Sequence, residues 1–395
     1  MMREVYLDYN ATTPVDPRVV DVMLTFLKYY YHNPSSLYSR AKEVRKAVES
    51  SREKIAKLIN ANPDEIIFTS GGSEADNQAL KGVAFYLQKK GNHIITSSIE
   101  HHAVLDTCKF LEKMGFEITY LPVDRYGIVD PDDLKKAIKP ETILISIMMA
   151  NNEIGTIEPI KELAEVAHDH GVLFHTDAVQ AVGKIPVDVK EIDVDLLSLS
   201  AHKFYGPKGV GALYIKKGVR LHPLIHGGSQ EKKLRAGTEN VAGIVGAGKA
   251  AEIAMAEMKD EAEKIKPLRN RLEKEIKEKI PEVIVNGHPE KRLFNTLNIC
   301  VKYIEGEGML ALLDMHGISA SSGSACASSS LEPSHVLLAI GLPHAIAHGS
   351  LRFSFGKYNT AEDVNKVVEV LPEIVEKLRA VSPYGREHDF GDYQK

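Results

Sequence analysis

The chain has 395 residues, of which 44% are hydrophobic and 26% are charged, with a formal net charge of -5. These proportions match globular averages and exclude disorder as the main state. The acidic balance argues against a general nucleic-acid binder, which usually carries a basic excess. At about 150 residues per domain, the length predicts two or three domains.

Three features of the chain bear on its location. Residues 1–10 have no apolar run after Arg3, so they do not read as a secretory signal. No segment approaches the ~18 apolar residues that a membrane helix needs. The cysteines are three, Cys108, Cys300 and Cys326, and an odd number favours reduced thiols over a disulfide framework. We therefore expect a cytoplasmic protein, without a membrane partner, that has at least one reactive thiol.

The first half of the chain alternates helical and strand patterns. Asp16-Pro17 predicts a helix start before 19–30, and 39–60 has helical periodicity without a breaker. Short runs that are apolar on both faces, alternating with helices, indicate a mostly parallel sheet covered on both sides. The predicted strands are 65–70, 93–97, 117–123, 142–150, 172–177, 196–200 and 211–215.

The second half predicts a smaller unit. A long helical pattern over 239–279 indicates an interdomain helix, with Pro267 as a candidate break. The elements predicted beyond it are strands at 294–301 and 351–355 and helices at 307–315 and 361–380.

The predicted fold class is α/β, with a mostly parallel seven-stranded sheet in a large domain and a smaller α+β domain beside it. We assign residues 15–260 to the large domain. Residues 1–14 and 261–381 form the small domain, and 382–395 a polar tail.

Functional groups follow several predicted strands, where open α/β sheets bind their ligands. Gly71-Gly72-Ser73 follows 65–70 and opens a helix, so free backbone N–H groups and the helix dipole could bind an anion. The simpler interpretation is a glycine turn with Ser73 as the cap. His101 follows 93–97 and could stack on a flat ring and transfer a proton. A lone histidine is more often structural, and the adjacent His102 leaves the choice open.

Asp177 ends one predicted strand, and Lys203 closely follows another. A lysine at a strand end is usually a solvated surface residue. A lysine near a carboxylate is also what pyridoxal phosphate chemistry requires, because the amine forms a Schiff base and the acid keeps the ring nitrogen protonated. Together with the anion site, the pair predicts a phosphate-bearing cofactor.

The segment around Cys326, SSGSACASSS, has the composition of a flexible polar linker. Small residues on both sides of the cysteine also suit a thiol that must travel. Cys108 lies in a helical pattern and Cys300 ends an apolar run, so we expect both in the core.

Ten sequence blocks together resemble the cysteine desulfurases, in particular the housekeeping class that serves iron–sulfur cluster assembly. They occur in order over nearly the whole chain, which makes the set far more specific than one motif. The blocks are LDYNATTP (7–14), HNPSS (32–36), FTSGGSEADN (68–77), EHHAVLDT (100–107), NNEIG (151–155), HTDAVQAVGK (175–184), SLSAHKFYGPKGVG (198–211), RAGTEN (235–240), SSGSACASSSLEPSHVL (321–337) and LRFSFGKYNT (351–360).

The resemblance implies a class-V aminotransferase-like enzyme of pyridoxal phosphate fold type I and assigns roles to matching residues. Lys203 would form the Schiff base, Asp177 would pair with the ring nitrogen, and His101 would stack on the ring and transfer protons. Cys326 would be the nucleophile that carries the persulfide. The other implied residues are Gly72, Ser73, Ser200 and His202 for the phosphate, Asn152 and Gln180 for the ring hydroxyl, and Asn33 and Arg352 for the substrate carboxylate.

The resemblance also implies partners. Thr238 would reach the phosphate of a neighbouring subunit, which predicts a homodimer. L-cysteine would become L-alanine, and the sulfur on Cys326 would pass to an iron–sulfur scaffold protein or to carriers of tRNA thiolation, with no direct nucleic-acid contact. Cys326 is also a candidate ligand for a cluster shared with the scaffold.

The departures from the family pattern are small. Gly72 and Ser73 stand where alanine and threonine are frequent, His102 replaces a common lysine, and His32 replaces a frequent glycine before Asn33.

Other reactions of the same cofactor stay open, namely those of a selenocysteine lyase, a cysteine sulfinate desulfinase or an aminotransferase. A catalytically silent partner that docks a scaffold is the alternative from another class.

Overall fold

The computed structural model describes residues 4–322 and 332–382. The strands within these ranges are β1 (Val5–Tyr6), β2 (Ile66–Thr69), β3 (His93–Ser97), β4 (Glu117–Leu121), β5 (Thr142–Ser146), β6 (Leu173–Asp177), β7 (Leu196–Ser200), β8 (Gly211–Ile215), β9 (Val283–Asn286), β10 (Thr296–Val301), β11 (Ile318–Ser319) and β12 (Ser350–Ser354).

The α-helices in the same ranges are α1 (Pro17–Lys28), α2 (Ser39–Leu58), α3 (Gly72–Leu87), α4 (His102–Lys113), α5 (Pro131–Ala137), α6 (Ile160–Asp169), α7 (Val241–Lys279), α8 (Gly306–Met315), α9 (His335–Ala339), α10 (His344–Ala347) and α11 (Ala361–Val381). Asp16 caps α1 and Pro17 occupies its first turn, as the Asp-Pro pair predicted.

The large sheet has seven strands in the order β2-β8-β7-β6-β5-β3-β4. Strand β8 runs antiparallel to both of its neighbours, and the remaining pairs are parallel. Each of the seven predicted apolar runs forms one of these strands. The α/β class with a mostly parallel sheet is therefore confirmed.

Both faces of this sheet are buried. Along β3, Ile94 packs in a cluster with Ala75 of α3 and Val104 of α4, whereas Ile95 packs in the cluster on the opposite face. Successive side chains of a strand point to opposite faces, so a strand that is buried on both sides reads as a continuous apolar run.

A second core lies beside the large sheet. The antiparallel sheet β12-β10-β9 and the parallel pair β1-β11 contribute to it, together with α7, α8 and α11. Helix α7 has 39 residues and runs through Pro267 without a break, so the expected interruption is wrong. Buried Ile265 and Leu272 hold the helix in this core on either side of the proline, and this packing offsets the missing hydrogen bond. The predicted domain boundaries stay a prediction.

The carboxyl ends of β6 and β7 meet at one edge of the large sheet. Strand β6 ends at Asp177, and β7 leads directly into a 3-10 turn, Ala201–Lys203. The sheet order therefore places the predicted acid and the predicted lysine on neighbouring strands. Within the described ranges, every helix is too short or too polar to cross a membrane.

Candidate active site

A cavity of about 410 Å³ opens at this edge of the sheet. Its size suits a small cofactor together with a substrate. Most of the predicted site residues line it, although they come from distant parts of the chain. They are Gly72, Ser73, His101, Asn152, Asp177, Gln180, Ser200, His202, Lys203 and Arg352.

Lys203 places its amine against the start of the chain. Its Nζ donates to the carbonyl oxygens of Asn10 and Ala11, the latter at 2.7 Å. The backbone turns sharply after Lys203, and a Cβ on Gly206 would lie 2.8 Å from the carbonyl oxygen of Ala201. The close approach explains why a glycine follows Tyr205. The Lys203 side chain lines the cavity.

Asp177 faces the cavity from the end of β6. One oxygen accepts a hydrogen bond from the backbone N–H of Val179 at 2.9 Å. Burial raises the pKa of Asp177 to about 6, although this hydrogen bond and the Lys203 charge both lower it. A cation against the free oxygen, such as a protonated ring nitrogen, would offset the cost of burial and keep the carboxylate ionised.

Asp76 of α3 is a second buried acid in the cavity wall, and the sequence did not single it out. Burial raises its pKa well above the usual range, and the charge of Asp177 adds to the rise. Among the described residues, its Oδ1 is one of the buried side-chain atoms without a hydrogen-bond partner. Two buried carboxyl groups in one site do not both ionise readily, so Asp76 is the one that we expect to hold a proton.

His101 caps α4 and lies in the cavity wall. Its Nδ1 accepts a hydrogen bond from the backbone N–H of Ala103 at 3.1 Å, so the ring hydrogen belongs on Nε2. Burial lowers its pKa to about 4, and the Lys203 and His102 charges add to the effect. The ring is therefore neutral at neutral pH and can lie against a flat ligand.

The N-terminus of α3 lines the cavity. Gly72 and Ser73 open this helix, and Ser200 and His202 approach from the sheet edge. A Cβ on Gly72 would lie 2.6 Å from Cγ2 of Val179, so glycine at this position leaves room for that valine. The departure from the family's frequent alanine thus has a local steric reason. Free helix N–H groups with a hydroxyl and an imidazole suit a phosphate.

Arg352 lies on β12 and is buried to 2% exposure. Its guanidinium donates to Asp8 Oδ1 at 2.7 Å and to the backbone carbonyl of Asn152 at 3.0 Å. In the described part of the chain, its Nε is a buried atom without a hydrogen-bond partner. The planar group is held in place at the cavity wall, where it can bind a carboxylate.

Two predicted site residues of the described part of the chain do not line the cavity. Asn33 and Thr238 are exposed in this chain, and the Asn33 side chain accepts a hydrogen bond from the backbone N–H of Ser35 at 2.8 Å. Cys326 lies outside the described residues, as does the tail beyond Ser382. The roles of all the predicted site residues, including those that line the cavity, stay predictions. Cys108 and Cys300 are both buried, as we expected for core residues.

Other cavity residues were missed by sequence reasoning, notably Asn10, Glu153 and His335. The Asn10 side chain bonds to Thr296 at 2.9 Å, and its carbonyl accepts from Lys203, so it joins the N-terminal segment to both cores. Ser334 donates a hydrogen bond to Glu153. The only available signal was their presence in blocks shared with the family, without a role attached.

This donor set fits pyridoxal phosphate. A lysine amine for the aldehyde, a buried acid for the ring nitrogen and a helix N-terminus for the phosphate line one cavity. Within residues 4–322 and 332–382, no group of three or more His, Cys, Asp or Glu side chains could hold a metal ion.

The comparisons with known proteins agree with this chemistry. The family model for class-V aminotransferases matches residues 5–367. The chain is 62% identical to the cysteine desulfurase IscS of Dictyoglomus turgidum over 387 residues, 98% of each protein. The solved structure of a NifS-like protein, 42% identical, superposes with a TM-score of 0.90 over 95% of this chain and 100% of its own. The structure of SspA in complex with cysteine is 39% identical, with a TM-score of 0.80 over 90% of this chain and 100% of its own.

The fold and the cavity together define a pyridoxal phosphate enzyme of fold type I. The chain belongs to the class-V aminotransferase family and, within it, to the cysteine desulfurases of the housekeeping class.

Proposed function

We infer that this protein is a pyridoxal phosphate-dependent cysteine desulfurase that converts L-cysteine to L-alanine and keeps the sulfur as a persulfide on Cys326. The observation that carries the inference is the cavity shared by Lys203 and Asp177, in a chain 62% identical to a named cysteine desulfurase. When bound, the cofactor supplies an electron sink for the substrate's α-carbon.

The remaining steps are assigned to individual residues of the cavity. Lys203 Nζ would hold the aldehyde of the cofactor and would move the α-proton of the substrate. The Asp177 carboxylate would keep the ring nitrogen protonated, and His101 would contact the ring. Arg352, held by Asp8, binds the substrate carboxylate through its guanidinium. Gly72 and Ser73 hold the phosphate at the start of α3.

The sulfur acceptor is the third cysteine of the chain. Burial raises the pKa of both Cys108 and Cys300 to about 12, so neither supplies a thiolate at neutral pH. We propose that the Cys326 thiolate attacks the sulfur of the substrate. An S–S bond forms, the carbon–sulfur bond breaks, and its electron pair is protonated on carbon to give alanine. The persulfide then passes to an iron–sulfur scaffold protein or to thiolation carriers.

A direct assay separates this function from its alternatives. The purified protein should acquire visible absorbance when pyridoxal phosphate is added and should then release alanine from L-cysteine. Parallel assays with L-selenocysteine and L-cysteine sulfinate compare the rates of alanine release. Faster release from either analogue would identify a selenocysteine lyase or a desulfinase. Absence of any cofactor absorbance would indicate the silent scaffold-docking partner.

We also propose that the enzyme is a homodimer whose subunits meet through an apolar surface at the start of the chain. This surface consists of exposed side chains of α1 and the loop after it: Leu24, Leu27, Tyr29, Tyr31, Leu37 and Tyr38. Tyr31 is 74% exposed and Leu37 is 85% exposed, and large apolar patches on a protein surface commonly mark interfaces. Asn33 lies within this loop and, like Thr238, would serve the cavity of the partner subunit.

The double variant Leu27→Glu/Leu37→Glu is expected to be monomeric, because two buried charges per subunit oppose association. Sedimentation velocity should show a dimer for the wild type and a single species of half that mass for the variant. Met315→Glu, at a side chain 72% exposed on α8, is the matched control and should remain dimeric. A dimeric double variant would place the interface elsewhere.

A further inference from the structure

Lys184 is a buried lysine that lies behind the cavity wall without lining it. It follows β6 and is 7% exposed. Its Nζ donates to Gln180 Oε1 at 2.6 Å and lies 3.5 Å from Asn10 Oδ1. Burying an amine is costly unless it is hydrogen-bonded, and these two oxygens meet that need. The main contact of this lysine is therefore a residue that does line the cavity.

The contact fixes the orientation of the Gln180 amide. A glutamine amide has an acceptor end and a donor end, and an ammonium group can only donate. With Oε1 held by Lys184, Nε2 donates to the carbonyl of Asn10 at 2.9 Å. The flipped amide would place its NH2 group against Nζ, donor against donor, and would lose both hydrogen bonds. One hydrogen of Nε2 is used by Asn10, and the amide nitrogen keeps a second.

We propose that Lys184 is a positioning residue that turns the N–H end of the Gln180 amide, rather than its carbonyl, toward the cavity and the ring oxygen of the cofactor. The inference rests on the proposed function, since it concerns the same cofactor. The Asn10 carbonyl accepts from Gln180 and also from Lys203. The same network therefore aligns the amide with the lysine that holds the aldehyde.

The charges around Lys184 are compatible with this role. Its pKa is lowered to about 7, mainly by burial, with the Lys203 and Arg352 charges adding to the lowering and Glu261 opposing it. Both the ammonium and the neutral amine carry an N–H for Gln180 Oε1. The Asn10 carbonyl, which can only accept, also keeps Nε2 in place when the amine is neutral, so the orientation of the amide holds on both sides of neutral pH.

A double-mutant cycle on cofactor affinity tests the proposal. Each apo-protein is titrated with pyridoxal phosphate, and the visible absorbance of the bound cofactor is recorded. Lys184→Met should weaken cofactor binding about tenfold in the wild-type background. A loss of this size corresponds to one well-placed hydrogen bond from the Gln180 amide to the bound cofactor. In the Gln180→Leu background the same substitution should change the affinity far less, because no amide remains to be oriented. Asn295→Ala, which removes a different hydrogen bond to the Asn10 side chain at 3.1 Å, is the matched control and should retain wild-type affinity.

An equal loss of cofactor affinity in both backgrounds would mean that Lys184 acts through charge or packing alone, and it would overturn the proposal. An unchanged affinity in the Lys184→Met single variant would overturn it as well. Thermal unfolding of apo-protein checks that Lys184→Met is folded. If it is not, Gln180→Glu gives the answer, because a carboxylate keeps Lys184 partnered but presents no N–H to the cavity. That variant should also bind about tenfold more weakly, and wild-type affinity would refute the inference. Failure of the wild type to bind the cofactor would instead contradict the proposed function.

Discussion

Replacing Lys203 with alanine is expected to lower alanine release from L-cysteine by about 10³-fold or more, since one side chain both holds the aldehyde and moves the α-proton. The amine lies in the cavity and donates to the Asn10 and Ala11 carbonyls. Removing it leaves the acid at Asp177 and the phosphate end intact. The variant should therefore still bind the cofactor, but only reversibly.

Mass spectrometry after borohydride reduction measures this difference directly. The wild-type chain should gain the mass of one reduced cofactor, and the Lys203→Ala chain should not. Lys217→Ala is the control, because that lysine is exposed just beyond β8 and its variant should be labelled like the wild type. Labelling of Lys203→Ala at full yield would mean that another lysine holds the cofactor. Lys184, the buried lysine behind the cavity, would be the first to examine.

Replacing Cys326 with alanine is expected to abolish protein-bound sulfur while cofactor binding is retained. The reason is chemical: the sulfur needs a thiolate acceptor, and the two cysteines among the described residues are buried with raised pKa values. After incubation with [³⁵S]cysteine, a non-reducing gel should show label on the wild-type chain and none on Cys326→Ala. Reducing agent should release the label from the wild type.

Two single variants serve as matched controls for this experiment. Cys108→Ala and Cys300→Ala should each keep the full label, because both thiols are packed in hydrophobic clusters and neither lines the cavity. Cys300→Ala should cost some stability, since its sulfur accepts a hydrogen bond from Asn286 at 3.2 Å. Persistent label on Cys326→Ala, lost in one of the other two variants, would move the acceptor role to that cysteine.

Much of the fold was readable from local patterns. Strand β3 is apolar at neighbouring positions such as Ile94 and Ile95 because each faces a different buried layer, and this pattern survives in the sequence alone. The same holds for Asp177 and Lys203. Each lies at or just after a strand end, and parallel strands bring such ends to one edge. The resemblance to the cysteine desulfurases then indicated the reaction and the roles of these residues.

The sequence by itself determined the seven strands of the large sheet and the residues at their carboxyl ends, because these depend on short-range periodicity and on residue type, and its resemblance to a family indicated the class of cofactor. Only the tertiary structure decided which distant groups meet. Asp8 holds Arg352 across 344 positions, and Asn10 contacts Lys203 across 193. Such contacts depend on the order of strands in the sheet and on where the two cores join, which no local pattern records. Helix α7 also continues through Pro267 for a tertiary reason. Packing on both sides of the proline outweighs its local tendency to break a helix.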